Sequence, residues 1–335
     1  RRESPEPAGA GAEFSIARDR EFLIPVLKEI LAINPNIKIL ASPWSPPAWM
    51  KNNNATKGGE LLPKYYHSYA IYLAKYIQAM TQEGILVDAL TIQNEPLHPG
   101  NNPSLLMYPW DQADFIKKHL GPIFDVEKIT TKIIIYDHNA NNSEYPIIVL
   151  NDPGAKKYIH GTAFHLYGGT VDEISDVHNA HPDKALYFTE QWVGAGSEFA
   201  GTFFWHIENL IIGASKNWCK TVLEWNLPAD SQYLPHTDGG CDKCLGAISI
   251  DGNKVTRNPA YYIIAQASKF IPAGSVRIES SELVGIPSVA FLRPDGKAAI
   301  VLLNQGQTAR RINLVSGNRK IAFEIPAASA VTAVF

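Results

Sequence analysis

Two glutamates occupy equivalent places in two strand-then-loop patterns: Glu95 within TIQNEP (91–96) and Glu190 within YFTEQ (187–191). Each follows a short apolar run, residues 86–92 for the first and 185–188 for the second. A carboxylate just past the C-terminal end of a parallel strand stands where α/β barrels carry their catalytic groups. The two positions are 95 residues apart (190 − 95). A barrel of roughly 250 residues gives about 31 per β/α unit, so this gap is close to three units. Two carboxylates on one rim, three strands apart, supply what glycoside hydrolysis needs: a proton donor for the leaving oxygen and a partner for the anomeric carbon. Glu95 fits the acid/base role and Glu190 that of nucleophile. Asn94, beside the acid, is suited to hydrogen-bond the sugar 2-hydroxyl, a contact that strengthens as the oxocarbenium ion forms. Either glutamate alone reads equally as a solvated carboxylate at a turn; the pairing favours catalysis.

The elements that must position this pair alternate along residues 16–271. Helices are expected at 17–31 (bent by Pro25), 112–124, near 145–150, and at 171–179, 199–215 and 259–270. Another places Tyr66, Tyr69, Leu73, Tyr76, Ile77 and Met80 on one face and stops at Gly84. Strands are expected at 37–41, 86–92, 132–136, 161–165, 185–188 and 220–224. The first ends in a proline-locked loop, SPWSPPAW (42–49). Continuous apolar runs separated by helices argue for a parallel sheet buried on both faces. A doubly wound sheet can have six strands, but the three-unit spacing of the glutamates favours a barrel. A closed barrel needs eight, so its first two β/α units are expected to be absent from this sequence.

From about residue 275 the pattern turns to antiparallel β, with strands at 276–279, 288–293, 298–303, 310–315, 320–325 and 330–335. Turns at PDG (294–296) and SGN (316–318) connect two hairpins. The expected fold class is α/β: a (β/α)8 TIM barrel lacking its first two units, followed by an antiparallel β-sandwich. Its expected parts are a disordered leader or cloning remnant at 1–13, a catalytic barrel at 14–272 and the sandwich at 273–335.

With 335 residues, 45% hydrophobic, 19% charged and a net charge of −3, the chain reads as an ordinary globular protein. That charge gives no general pull toward nucleic acid. No apolar run approaches the ~18–20 residues of a membrane span, so stable membrane insertion is not expected. Seven Trp and 14 Tyr suit stacking on sugar faces, though large cores also use them. Cys241 and Cys244 form a C-x-x-C that follows Asp238-Gly-Gly rather than opening a helix, which reads as a local disulfide or inert thiols. A zinc site would need more ligands than His236 and Cys219 provide, and no metal site is expected.

ASPWSPPAWMK (41–51), TIQNEP (91–96), HLYGG (165–169), YFTEQ (187–191), LEWNL (223–227) and SKFIPAGSVRI (268–278) together resemble glycoside hydrolase family 30, in its glucosylceramidase and β-1,6-glucanase branch. The resemblance runs from about Phe14 to Phe335. It implies a retaining mechanism without a cofactor, Glu95 as acid/base and Glu190 as nucleophile. It also implies Trp44 and Trp225 walling the sugar site, Asn94 on the 2-hydroxyl, and His165 and Tyr167 near the nucleophile. The implied partner is a carbohydrate: β-1,6-glucan is favoured, with glucosylceramide, β-xyloside or β-fucoside as alternatives. A secreted or periplasmic location follows from the same resemblance. Members carry two further β/α units upstream, which Arg1–Glu13 does not resemble, and an isolated chain of this length is expected to be unstable or weakly active. The rival from another class is a non-catalytic sugar-binding barrel, which has no need of both glutamates.

Overall fold

The computed structural model describes residues 14–335; the leader expected at 1–13 lies outside the described residues. By its contacts the chain divides into two compact units. One holds the described residues through Phe164 together with Val177–Ala185, the other His165–Asp176 and Leu186–Phe335.

In the first unit, helix α1 (Ala17–Ile33) keeps Pro25 inside it, and strand β1 covers only Leu40–Ala41. The strand starts later than the apolar run suggests because Asp88 takes the ladder's place. Its carboxylate accepts from the Ile39 amide at 2.9 Å, and its own amide donates to the Ile39 carbonyl at 2.8 Å. Helix α2 (Tyr66–Gln82) buries Tyr66, Tyr69, Ala70, Leu73, Ala74, Ile77 and Met80, the spacing of one helical face. Gly84 then turns the chain with φ 81°, a conformation that costs a residue without Cβ little. Strand β2 (Ala89–Thr91) follows, then helix α3 (Pro109–Phe115), which runs through a π-helical turn, Ile116–Leu120, into Gly121–Glu127. The helix begins earlier than the sequence suggests because Pro109 sits at its first position, where the missing N–H is not required. Strands β3 (Lys132–Asn139) and β4 (Ile159–His165) complete the order β1-β2-β3-β4. Parallel pairing sets Leu40 beside Ala89 and Ala89 beside Lys132. Ile133–Ile135 and Ala163–Phe164 are almost wholly buried, as two-sided burial of a parallel sheet requires.

After a 3-10 turn, Val171–Glu173, the second unit continues with strand β5 (Ala185–Glu190, from Leu186 onward) and the short β6 (Val193–Gly194). Helix Phe199–His206 passes into a π-helical stretch, Ile207–Ala214, and strand β7 (Cys219–Val222) pairs parallel with β5. An antiparallel hairpin, Ile248–Asp251 with Lys254–Arg257, was not legible as such; its turn depends on Gly252 at φ 57°. After helix Pro259–Ser268 come four antiparallel strands, Val276–Ile278, Ser288–Leu292, Ala298–Asn304 and Ser329–Val334, and a separate hairpin of Arg310–Ser316 with Arg319–Ile325. Strand Ala298–Asn304 is buried throughout because it serves two cores by alternation. Ile300 and Leu302 face Ile312, Leu314 and Ile325 of the hairpin, whereas Val301 and Leu303 pack on Phe203, Ile207, Ile211 and Ile263 of the helices. Among the described residues no helix is long and apolar enough to cross a membrane.

Candidate active site

Trp44, Asn94 and Glu95 belong to the first unit; His165, Tyr167, Glu190 and Trp225 belong to the second. In the first unit the strand ends are tied by side chains. The Thr91 hydroxyl donates to Ser42 Oγ at 2.7 Å, and Ser42 donates to the Asp137 carboxylate at 2.8 Å, so one chain of hydrogen bonds spans the ends of β1, β2 and β3. Backbone bonds lock the segment between them: the Asn94 amide donates to the Pro43 carbonyl and the Glu95 amide to the Asp137 carbonyl, both at 2.9 Å. Glu95 sits at φ 43° and Asp137 at φ 62°. Residues other than glycine in this region persist only where their surroundings over-determine them, and they cluster at active sites. Glu95 lies beyond the end of β2 rather than within it, and is 7% exposed. Its Oε2 accepts from Asn101 Nδ2 at 3.0 Å, a partner sequence reasoning missed. Gln93 Nε2 donates to the Trp44 carbonyl at 2.7 Å, which joins the proline-rich loop to the Asn94–Glu95 segment.

That loop has its own anchor. Lys51 is 3% exposed, and its ammonium donates to Ser45 Oγ (3.0 Å), the Thr56 carbonyl (2.9 Å) and the Ser104 carbonyl (2.7 Å). Burial lowers its pKa to about 8, which leaves it a cation at neutral pH. Lys51→Met keeps the volume but strips the donor from three partly or wholly buried oxygens. It is expected to lower unfolding free energy by about 2–4 kcal/mol, read as a shift of the urea midpoint at unchanged slope. A midpoint within error of the parent would show that the loop stands without this anchor.

In the second unit Glu190 is the last residue of β5, and its side chain is 13% exposed. The Tyr167 hydroxyl donates to Glu190 Oε1 at 3.1 Å. His165 Nδ1 lies 3.8 Å from the same oxygen, beyond hydrogen-bond reach but close enough for attraction when the ring is protonated. The His165 and Tyr167 rings meet edge to face, so the strand-end HLYGG segment brings both to the nucleophile candidate. Trp225 is held beside Glu190's strand: its amide donates to the Gln191 carbonyl at 2.8 Å, and Trp192 and Trp225 form an isolated parallel bridge. Behind it, buried His206 Nδ1 and Glu224 Oε1 approach to 2.8 Å. Burial pushes the Glu224 carboxyl above the usual range, and the histidine pulls the other way. Cys241 and Cys244 form a disulfide, which settles the alternative the C-x-x-C spacing left open. Antiparallel pairing of β6 with Cys244–Leu245 fastens that loop to the segment just after Glu190.

A parallel-stranded domain with strand-end glutamates, followed by an antiparallel sandwich, defines the class of barrel glycoside hydrolases with a β-sandwich. The family model for the Glycosyl hydrolase family 30 TIM-barrel domain matches residues 11–271, and that for the family 30 beta sandwich domain matches residues 274–333. The chain belongs to glycoside hydrolase family 30. It is 37% identical over 305 residues to the endo-1,6-beta-D-glucanase neg1 of Aspergillus fumigatus, covering 83% of this chain and 61% of that protein. It is 30% identical over 317 residues to the putative glucosylceramidase 4 of Caenorhabditis elegans, covering 86% and 60%. Among solved structures it is similar to the endo-beta1,6-glucanase BT3312, with a TM-score of 0.90, 38% identity and coverage of 94% of this chain and 75% of that one. The chain thus spans less than two thirds of the length of these two curated relatives.

Proposed function

We propose that this chain hydrolyses β-glucosidic bonds with retention of configuration, Glu190 acting as nucleophile and Glu95 as acid/base, and that its favoured substrate is a β-1,6-linked glucan. The observation that carries the reading is Glu190 itself: a strand-terminal carboxylate, mostly buried, with one oxygen held by the Tyr167 hydroxyl. Such a bond fixes the rotamer from which the carboxylate attacks, and binding plus orientation then replace the entropy of a bimolecular step. The higher identity to a protein named an endo-1,6-beta-D-glucanase supports the substrate over glucosylceramide. The Cys241–Cys244 disulfide supports an oxidising compartment, secreted or periplasmic.

Proton NMR of the first product released from a β-glucoside tests the mechanism: the β-anomer is expected first, and early α-anomer refutes retention. A panel of β-1,3-, β-1,4- and β-1,6-glucans, glucosylceramide and xylan tests the substrate. Tyr167→Phe removes one hydrogen bond to a charged oxygen, worth about 1.5–3 kcal/mol. It is expected to lower kcat by roughly 10–100-fold with KM little changed; an unchanged kcat would exclude Tyr167 from the positioning of Glu190.

A further inference from the structure

Trp110 is 60% exposed, an unusual state for the largest apolar side chain, yet its ring is not loose. It stacks on Tyr108 with ring centroids 5.0 Å apart and planes 11° from parallel. The intervening Pro109 holds the two rings in this relation: it confines Tyr108 to extended backbone (φ −82°, ψ 161°) and starts α3 at its own position. The segment is pinned on either side. The Leu106 amide donates to the Gly59 carbonyl and the Met107 amide to the Pro96 carbonyl, both at 2.8 Å. The Tyr145 hydroxyl donates to the Met107 carbonyl at 3.0 Å, and the Tyr66 hydroxyl to Asp111 Oδ1 at 3.3 Å. Through Pro96 this segment is continuous with the loop that carries Glu95.

We infer that the stacked Tyr108–Trp110 pair is a sugar-binding platform that holds a β-linked glucan chain at a distance from the scissile bond, an inference that rests on the proposed glucanase activity. The chemistry of the ligand fits. A β-linked glucosyl unit carries its hydroxyls equatorially, so both faces of the ring are flat and lined with C–H groups that pack on an indole. A ring fixed before the ligand arrives loses little rotamer freedom on binding. A polymer needs contacts beyond the cleaved linkage, and the platform stands where the connection that carries the proposed acid/base enters α3.

The test is native electrophoresis of Glu190→Gln protein, which should leave its matrix undigested, through gels containing soluble β-1,6-glucan. Trp110→Ala in that background is expected to weaken retardation about tenfold in apparent Kd, and Trp110→Tyr to keep it within about threefold. In otherwise wild-type protein, Trp110→Ala should leave hydrolysis of an aryl β-glucoside within about twofold, since a platform for the rest of a glucan chain has no unit to hold in that substrate. Unchanged retardation of the alanine variant overturns the platform. So does equal loss in the alanine and tyrosine variants, or a change of oligomeric state on removing the indole, which would assign the face to protein contact. Retardation that depends on Trp110, combined with no cleavage of β-1,6-glucan by wild-type protein, supports the platform while rejecting the activity.

Discussion

Glu190→Ala is expected to lower turnover of an aryl β-glucoside by about 10⁵-fold, a loss of about 7 kcal/mol of transition-state stabilisation. The alanine leaves the Tyr167 hydroxyl and the His165 ring in place but removes the carboxylate that the hydroxyl holds at the end of β5. It also leaves space for a small anion. Azide admitted there attacks the anomeric carbon from the face the carboxylate used, and no second displacement follows. The product is therefore the α-glycosyl azide, with one inversion, and the rate rises with azide concentration. Chromatography with NMR assignment of the anomer reads the result. A β-azide, or an activity indifferent to the substitution, would remove Glu190 from the nucleophile's role.

How much of this was legible before the structure depends on whether a residue's partner is set locally or by register. Glu190 closes its apolar run, so its place at a strand end is visible in sequence, and HLYGG announces His165 and Tyr167 by position. The network through Ser42, Thr91 and Asp137 is different. These three residues stand tens of positions apart, and only the parallel register of β1, β2 and β3 sets their side chains within 2.8 Å of one another in turn. Local pattern does not encode that register. Asn101 was missed for a related reason. It lies in a polar loop whose path is set by distant bonds such as the Ser104 amide to the Thr56 carbonyl, and an asparagine-rich loop offers no signal for which amide turns inward. The π-helical turns within α3's continuation and after His206 also escape a 3.6-residue reading. Conversely, the strand expected at 37–41 is shortened to Leu40–Ala41 because Asp88, a local competitor, satisfies Ile39's backbone in place of a neighbouring strand.

Glu95→Ala should separate the two halves of the reaction where Glu190→Ala stops both. General acid–base assistance is worth about 10²–10⁴-fold, and its share depends on how badly the departing oxygen needs a proton. For a glucan linkage, whose leaving group is an alkoxide, the loss is expected near the upper end, about 10⁴-fold. For a dinitrophenyl β-glucoside, whose phenolate leaves unaided, glycosylation of Glu190 should slow by no more than about tenfold. Hydrolysis of the glycosyl-enzyme then lacks its general base, so the intermediate accumulates and the phenolate appears as a burst. Azide needs no base to attack that intermediate. It should restore turnover and release the β-glycosyl azide, the product of two inversions, in contrast to the α-azide from Glu190→Ala. Asn101→Ala, which leaves the carboxyl but removes the 3.0 Å bond from its Oε2, should show the same leaving-group trend at a much smaller amplitude. The opposite anomers make the role assignment strict: if the two alanine variants exchange azide products, the roles of Glu95 and Glu190 exchange with them. If neither yields an azide, the double displacement itself is wrong.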